Sequence, residues 1–175
     1  LKSELHLSYG AVILHSSAFA APGFVTGMFG DWLIRRYGRR RVLWLGALGM
    51  LAGAGLLCVA SAAWFSIGSC ALMGASGGLI WIVVTAVLSE LHGDRRNVAL
   101  AEASAVAYAF GTVAPLVMSL CLSLALSWRY AVLVGVVFGG IILLWLGRTP
   151  LPDSAVISTP GHARLPALYW IYWCV

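Results

Sequence analysis

The sequence predicts an all-α protein made of several membrane-spanning helices. Of its 175 residues, 61% are hydrophobic and only 10% are charged. Soluble domains are about 45–50% apolar and about 25% charged, so this chain has too little polar surface to cover a globule in water. Its apolar residues form long runs, and a helix needs roughly 20 of them to cross a bilayer. Helices are favoured over strands because the alternating pattern of a membrane barrel is absent.

Five apolar runs are long enough to span a bilayer as helices, at about residues 7–30, 42–62, 64–89, 98–126 and 130–147. A sixth run begins near residue 165 and is truncated at residue 175. Pro22 lies in the first span and Pro115 in the fourth, and each predicts a kink because proline removes a backbone donor. Gly49 and Gly53 of the second span have the spacing that lets membrane helices approach closely.

The basic residues predict how the spans are oriented. Residues 31–41, 90–97 and 148–164 hold nine of the eleven Lys and Arg residues. Basic connections stay in the cytoplasm, so these three are predicted to be cytoplasmic. The last of them contains three prolines and no apolar periodicity, which is typical of a linker between two helical bundles. An ordinary long cytoplasmic loop fits that composition equally well.

Other classes of function find little support in the composition. The net charge of +5 does not form a basic face, which argues against nucleic-acid binding. The four cysteines have no metal-ligand spacing, and neither a metal nor a cofactor is expected. The chain begins without Met or a signal peptide and stops inside an apolar aromatic run, so we expect it to be a piece of a longer protein.

The most specific motif lies at residues 31–41, which read DWLIRRYGRRR. Residues 36–40, RYGRR, resemble the second half of G-x-x-x-D-R-x-G-R-R, the signature between the second and third helices of the major facilitator superfamily. The G-x-x-x-D half matches in spacing but is separated from the second half by four further residues. Without that insertion an arginine occupies the acidic position. The residues involved are Gly27, Asp31, Arg35, Arg36, Gly38, Arg39 and Arg40.

A second resemblance to bacterial members of that superfamily lies downstream. The stretch ELHGDRRNVALAEASAVAYAFGTVAPLVMS is similar to their connection from the fourth to the fifth helix, and LSWRYAVLV to their entry into the sixth. Upstream, APGFVTG resembles their second helix. The resemblance implies most of an amino-terminal six-helix bundle, from helix two to the start of helix seven. It also implies residence in a bacterial inner membrane.

The resemblance further implies a secondary transporter in which two bundles alternate around a central site. Proline-interrupted first and fourth spans would then occupy equivalent positions in two inverted three-helix units. The arginines and the carboxylates near them would hold one conformational state, since guanidinium groups bind carboxylates and helix C-termini. A topology anchor alone is the other interpretation of the arginines. Beyond the loop arginines, the expected gating residues are Glu90, Arg95, Arg96 and Glu102.

Ionisable groups inside membrane spans are rare and point to function. His15 lies beside Ser16 and Ser17 in the first span, where it would bind substrate, carry a proton or hydrogen-bond to a neighbouring helix. Glu102 lies about 7–8 Å inside the fourth span, close enough to pair with a loop arginine. Glu90, at the end of the third span, is the expected partner of the arginines at residues 35–41. Trp81 and Tyr108 are further candidates for substrate contact.

A short glycine- and serine-rich stretch of the third span suggests an alternative from another class. Residues 74–77, GASG, match the serine motif of rhomboid intramembrane proteases, with Ser76 as the nucleophile. That chemistry needs a histidine on a neighbouring helix, and no histidine follows in the fourth or fifth span. Close packing of small residues explains the motif better, and we predict that the chain is not an enzyme. A non-transporting assembly subunit is the remaining alternative to a transporter of a small solute.

The predicted partners of the chain are the lipid bilayer, a small-molecule substrate and the carboxy-terminal bundle of the same protein. Proton coupling is a further expectation, based on His15 and Glu102. Without the first helix and the second bundle, the 175-residue chain is expected not to transport by itself.

Overall fold

The computed structural model describes residues 9–148, and all regular structure within that range is helical. The helices are α1 (Tyr9–Tyr37), α2 (Arg39–Val59), α3 (Ala63–His92), α4 (Arg96–Ser123) and α5 (Trp128–Leu146), with a 3-10 turn at Gly93–Arg95. The all-α class is confirmed. The expected linker beyond Arg148 and the truncated sixth span lie outside the described residues.

The helices differ from the predicted spans chiefly at the basic connections. The prediction of a loop over residues 31–41 is wrong, because α1 continues to Tyr37 and α2 begins at Arg39. Only Gly38 lies between them, with φ 81° and ψ 151°, a backbone conformation that glycine adopts at no steric cost. The prediction of a loop over residues 90–97 is also wrong, since α3 runs to His92 and α4 begins at Arg96. Hydropathy marks where a helix leaves the hydrocarbon, whereas arginine is a good helix former and lets the helix continue.

Four helical segments of the described range are long and apolar enough to cross a membrane. Three of them correspond to α1, α2 and α5. The other, Ala63–Ser123, has 61 residues and contains both α3 and α4. A single crossing needs about 20 residues, and Gly93 interrupts this segment with φ 45°. We therefore treat α3 and α4 as two crossings.

Both predicted proline positions lie inside continuous helices. Pro22 lies within α1, and Thr26 donates from its hydroxyl to the carbonyls of Pro22 and Gly23, at 3.0 and 2.9 Å. Pro115 lies within α4. A proline leaves one carbonyl of the preceding turn without its helical donor, and this favours a kink. The kinks at these two sites remain predictions.

The bundle has two ends, the arginine end and the opposite end. The arginine end holds the end of α1, the start of α2, the end of α3, the start of α4 and the end of α5. The opposite end holds residues 60–63 and 124–128, together with the start of α1. Consecutive helices are antiparallel because each connection is only a few residues long.

Helix α3 is the centre of the arrangement and packs lengthwise against both α1 and α2. On the α1 side, a Cβ at Gly74 would overlap the backbone of Phe19. A Cβ at Gly78 would meet the Thr26 hydroxyl and, at 2.9 Å, the carbonyl oxygen of Gly23. The two backbones are therefore in direct contact, which requires the absence of side chains at these positions.

The contact between α2 and α3 is built in the same way, with the glycines on α2. A Cβ at Gly46 would lie 2.9 Å from the Ser76 carbonyl oxygen, and one at Gly53 would lie 2.6 Å from Met73 Cγ. At Gly49 it would overlap the Ser76 hydroxyl. Gly49 and Gly53 thus both face α3, as their spacing predicts. In lipid the hydrophobic effect does not bring helices together, and close packing at small residues supplies the association energy instead.

Gly74→Val tests the contact between α1 and α3. We expect it to force the two backbones apart and to lower the melting temperature in detergent by about 5 °C, an overpacking cost of about 1–3 kcal/mol. Gly68→Val is the matched control, because Gly68 also lies in α3 but has open space around it. The measurement is thermal unfolding followed by size-exclusion chromatography. Equal melting temperatures for the two variants would contradict the close contact.

Candidate functional site

The arginine end is organised by the first turn of α2, where three arginines stand in sequence. Positive charge at a helix N-terminus is unfavourable because it adds to the positive end of the helix dipole. Arginines at this position therefore need compensating partners elsewhere in the fold. The side chains of Arg39 and Arg40 find them by reaching the ends of two other helices.

Arg39 forms the central ion pair of this end. Its side chain is only 8% exposed, and its two terminal nitrogens bind both carboxylate oxygens of Glu90 at the end of α3. The bond from Nη1 to Oε2 is 2.7 Å long. A two-pronged guanidinium–carboxylate contact fixes direction as well as distance. Glu90 is thus in contact with one of the arginines at residues 35–41, as the sequence predicts.

Because Arg39 is buried, breaking its ion pair costs more free energy than breaking a pair on the surface. A buried guanidinium is costly unless it is paired, and removing its partner would leave the charge uncompensated. The Arg39 Nε is buried and has no hydrogen-bond partner within residues 9–148. Glu90 retains 36% exposure of its side chain, so the pair lies at the edge of the bundle and not in its interior.

Arg40 connects the same turn of α2 to α5. Its Nη2 donates to the carbonyl oxygen of Gly147, just after the end of α5, at 3.4 Å. A cation near the C-terminus of a helix is favourable because the last carbonyls carry the negative end of the dipole. The Arg40 side chain is exposed, so this contact is the weaker of the two. Two consecutive residues thereby hold α3 and α5 against α2.

The acidic residue of the signature behaves differently. Asp31 pairs with Arg35 on the same helix, at 2.9 Å, with 75% and 78% of the two side chains exposed. An exposed pair at this spacing contributes only about 0.3–0.5 kcal/mol. Gly27 has open space around it, and Arg36 is exposed. Because of the four extra residues, Asp31 lies within α1, one helical turn before Arg35. The ion pair between them stays within one helix and does not join two helices.

The expectation that Glu102 pairs with a loop arginine is wrong within the described range. Glu102 is exposed on α4 and takes part in neither of the ion pairs formed between residues 9 and 148. Arg95 and Arg96 are exposed too, and neither joins an ion pair there. Glu90 binds Arg39, the buried arginine among the described residues of this end. Depth along a helix alone does not determine whether an ion pair forms.

At the opposite end, His15 joins α1 to α3. Its Nδ1 lies 2.6 Å from the Ala11 carbonyl oxygen, one turn back in α1, and its Nε2 lies 2.7 Å from the Ser66 hydroxyl. Ser66 is fully buried and its hydroxyl is also 2.9 Å from the Ala63 carbonyl oxygen. His15 thus has the helix-to-helix hydrogen bond that was one of its expected roles.

Arg129 is a residue of the opposite end to which the sequence pattern assigned no role. Its Nη2 donates to the Ala60 carbonyl oxygen after the end of α2, at 3.3 Å, and its guanidinium lies 5.5 Å from the Trp128 ring centre. The Cys58 thiol donates to the Arg129 carbonyl oxygen at 3.8 Å. The sequence signal for this contact is a lone arginine on the less basic side of the predicted bundle.

The two aromatic candidates are exposed and lie at similar depth. Trp81 is 49% exposed on α3 and Tyr108 is 78% exposed on α4. Counted from the arginine end at 1.5 Å per residue, both lie about 17 Å along their helices, near the middle of the bilayer. His15 lies about 15 Å farther toward the opposite end by the same measure. The three candidates therefore do not form one site.

A cavity of about 460 Å³ lies between α2, α3 and α5. Its wall is apolar except where Arg40 and Gly147 border it at the arginine end, and Trp44, Met50, Ile80 and Ile142 line much of the rest. An apolar wall of this kind suits another apolar helix or side chain and offers little for recognising a polar solute.

The protease alternative finds no support in the geometry. Ser76 is 4% exposed and its hydroxyl faces Gly49 across the contact between α2 and α3. Two histidines lie within the described range. His15 binds Ser66, about 15 Å from Ser76 along α3, and His92 lies at the end of α3, about 24 Å from Ser76 along the helix. A serine nucleophile needs its base within hydrogen-bonding distance. In this part of the chain Ser76 is a small packing residue.

Comparison with known proteins found one family and one curated relative that resemble this chain. The family described as Major Facilitator Superfamily matches this chain over residues 1–173. A Bos taurus protein named solute carrier family 2, facilitated glucose transporter member 8, is 25% identical over 165 residues. That match covers 94% of this chain but 32% of the relative, so the chain spans less than a third of the relative's length. No solved structure matches the chain.

Arg39→Lys tests the two-pronged pair while it keeps the positive charge. We expect a loss of about 1–2 kcal/mol in stability, because an ammonium group does not reproduce the paired hydrogen bonds to Glu90. The matched control is Arg41→Lys, since Arg41 is exposed in the same turn. Resistance to limited proteolysis and the melting temperature in detergent report the difference. If Arg41→Lys is as damaging as Arg39→Lys, the loss is not specific to the ion pair with Glu90, which would contradict its role.

Proposed function

The chain belongs to the major facilitator superfamily, and from this membership we propose that it is part of a secondary active transporter that moves a small solute by alternating access. The proposed transporter is a protein longer than 175 residues. In it, α1 to α5 correspond to helices two to six of an amino-terminal bundle. A carboxy-terminal bundle of the same protein would complete the transport path, and residues 148–164 would connect the two.

The contact set of Arg39 and Arg40 is the observation that supports this proposal most strongly. It joins the ends of α2, α3 and α5 at the arginine end, through one ion pair with a buried arginine and one exposed hydrogen bond. Polar contacts between helix ends that break and re-form as helices move can stabilise one conformation of a bundle. We infer that Arg39 and Glu90 hold the arginine end in one transport state. Gly38 would then be the hinge between α1 and α2, because it alone separates them.

The same proposal gives the bundle an orientation. The protein is integral to a membrane, and the arginine end would face the cytoplasm by the positive-inside rule. Exposed arginines at that end, among them Arg36, Arg95 and Arg96, would then lie at the level of the lipid headgroups. A bacterial inner membrane fits the sequence of the connection between α3 and α4, although the glucose-transporter relative is a mammalian protein.

Trp81 and Tyr108 are the proposed substrate contacts. Both are exposed at the depth where superfamily substrates are expected to bind, near the middle of the bilayer. An aromatic ring with a polar edge stacks on a small solute and also donates a hydrogen bond to it. The relative carries the name of a glucose transporter, so glucose belongs among the solutes to be tested.

Uptake into proteoliposomes tests the transport proposal. We expect saturable uptake of one solute by the full reading frame that contains this chain, and none by the 175-residue chain alone. Trp81→Ala and Tyr108→Ala should each lower kcat/KM by about tenfold or more, since each removes contacts to the bound solute. Trp145→Ala and Tyr130→Ala are matched controls, because both aromatic residues are exposed on α5. Saturable uptake by the 175-residue chain alone would refute the two-bundle mechanism.

A non-transporting assembly subunit remains the second candidate. It would use the exposed apolar faces of α4 and α5 to bind another membrane protein, and it would show no uptake with any solute. Ser76→Ala separates both candidates from an intramembrane protease, because only a protease would lose a proteolytic activity through that change.

A further inference from the structure

Helices α2 and α5 make the same arginine contact in both directions. Arg40, the second residue of α2, donates to the carbonyl oxygen of Gly147, the first residue after α5. Arg129, the second residue of α5, donates to the carbonyl oxygen of Ala60, the first residue after α2. The donor–acceptor distances are 3.4 and 3.3 Å. Each helix thus binds, through an arginine of its first turn, the carbonyl at the end of the other.

The helix dipole favours this reciprocal arrangement. A guanidinium in the first turn of a helix lies near the positive end of its own dipole, and neither first turn contains an acidic residue. In an antiparallel pair, each first turn lies beside the C-terminus of the other helix, where the last carbonyls carry the negative end of the dipole. An arginine that extends to the other helix therefore leaves an unfavourable field for a favourable one.

Between the two arginine contacts, α2 and α5 touch along their length. A Cβ at Gly147 would lie 2.6 Å from the Trp44 ring. A Cβ at Gly139 would lie 3.0 Å from Leu51 Cδ2. Gly139 lies about 12 Å along α5 from Gly147 and about 15 Å from Arg129, so it marks the middle of the pair. The two helices are therefore in contact at both ends and at the centre.

Polar contacts at both ends distinguish this pair from the helix pairs described above. The ion pair of Arg39 joins α2 to α3 at the arginine end, and the hydrogen bond of His15 joins α1 to α3 at the opposite end. We propose that Arg40 and Arg129 are positioning residues that hold α2 and α5 together at both ends, so that the two helices move as one body. The two contacts together are the α2–α5 clasp.

The two contacts of the α2–α5 clasp differ in strength because they differ in burial. Ala60 is fully buried, and Trp128, beside Arg129, is 6% exposed. The Arg129 guanidinium also lies 5.5 Å from the Trp128 ring centre, a distance at which a cation is attracted to the ring. Arg40 is exposed, and water competes for its hydrogen bond to Gly147. We expect the contact of Arg129 to be the stronger of the two.

The α2–α5 clasp also predicts how the bundle would open. If Arg39 and Glu90 hold the arginine end in one transport state, breaking their ion pair frees α2 from the end of α3. Both contacts of the clasp would stay closed during that step, and α5 would move with α2. This consequence rests on the proposed function, whereas the clasp itself does not.

Distances between spin labels on α2 and α5, measured by double electron–electron resonance in lipid nanodiscs, test the clasp. The four native cysteines are replaced by Ala. One label pair reports the opposite end, at Val59 and Tyr130, and a second pair reports the arginine end, at Leu45 and Leu144. All four of these side chains are exposed. With both arginines present, we expect one narrow distance distribution at each end.

Each arginine variant should affect its own end of the pair. Arg129→Gln should raise the fraction of wide distances at the opposite end by about tenfold, the effect of one hydrogen bond from a charged group. Arg40→Gln should raise that fraction at the arginine end by about threefold, since this contact is exposed. Arg129→Lys should keep the narrow distribution, because a single hydrogen bond to a carbonyl needs one N–H and not the fork of a guanidinium.

Arg41→Gln is the matched control, because Arg41 is exposed in the same turn of α2 as Arg40. It should leave both distance distributions unchanged. The proposal is overturned if either end is broad with both arginines present, if Arg129→Gln widens both ends equally or neither, or if Arg129→Lys is as damaging as Arg129→Gln. The measurement needs no transport activity, so failure of the uptake assay and failure of the clasp are distinguishable.

Discussion

Direct contact between helix backbones is the constraint on which this bundle depends. In lipid there is no hydrophobic gain from bringing two apolar helices together, so packing at short range has to supply the energy. Helix α3 meets α1 at Gly74 and Gly78, and it meets α2 at glycines that α2 contributes. Both neighbours are held by the same helix, on different faces. Any movement of α1 or α2 is therefore a movement relative to α3.

Polar contacts at the two ends set the register of these helices. Glycine faces allow sliding, because they carry no side chain that interlocks. Arg39 and Glu90 fix α2 against α3 at the arginine end, and His15 and Ser66 fix α1 against α3 at the opposite end. Arg39 is placed there against the dipole of its own helix, and this local cost is offset only by a partner in another helix. The ion pair thus connects the arginine motif at the start of α2 to the end of α3.

Much of this could be predicted from composition and pattern, but side-chain direction could not. Apolar runs located the helices, and the charge of residues 35–41 pointed to Glu90 as a partner. The length of α1 was underestimated, because hydropathy does not register a helix that continues into a basic segment. Glu102 lies in the second turn of α4, close to the expected depth, but it joins no ion pair within residues 9–148. Arg129 was missed because its partner is a backbone carbonyl, which the sequence does not display.

A charge-reversal cycle tests most directly whether Arg39 and Glu90 couple α2 to α3. Arg39→Glu, Glu90→Arg and the double exchange are compared by their unfolding free energies in detergent. We expect the double exchange to recover part of the loss of both single variants, with a coupling of about 1–2 kcal/mol. Strictly additive losses would show that the two residues are not coupled and would leave the arginines as a topology signal alone.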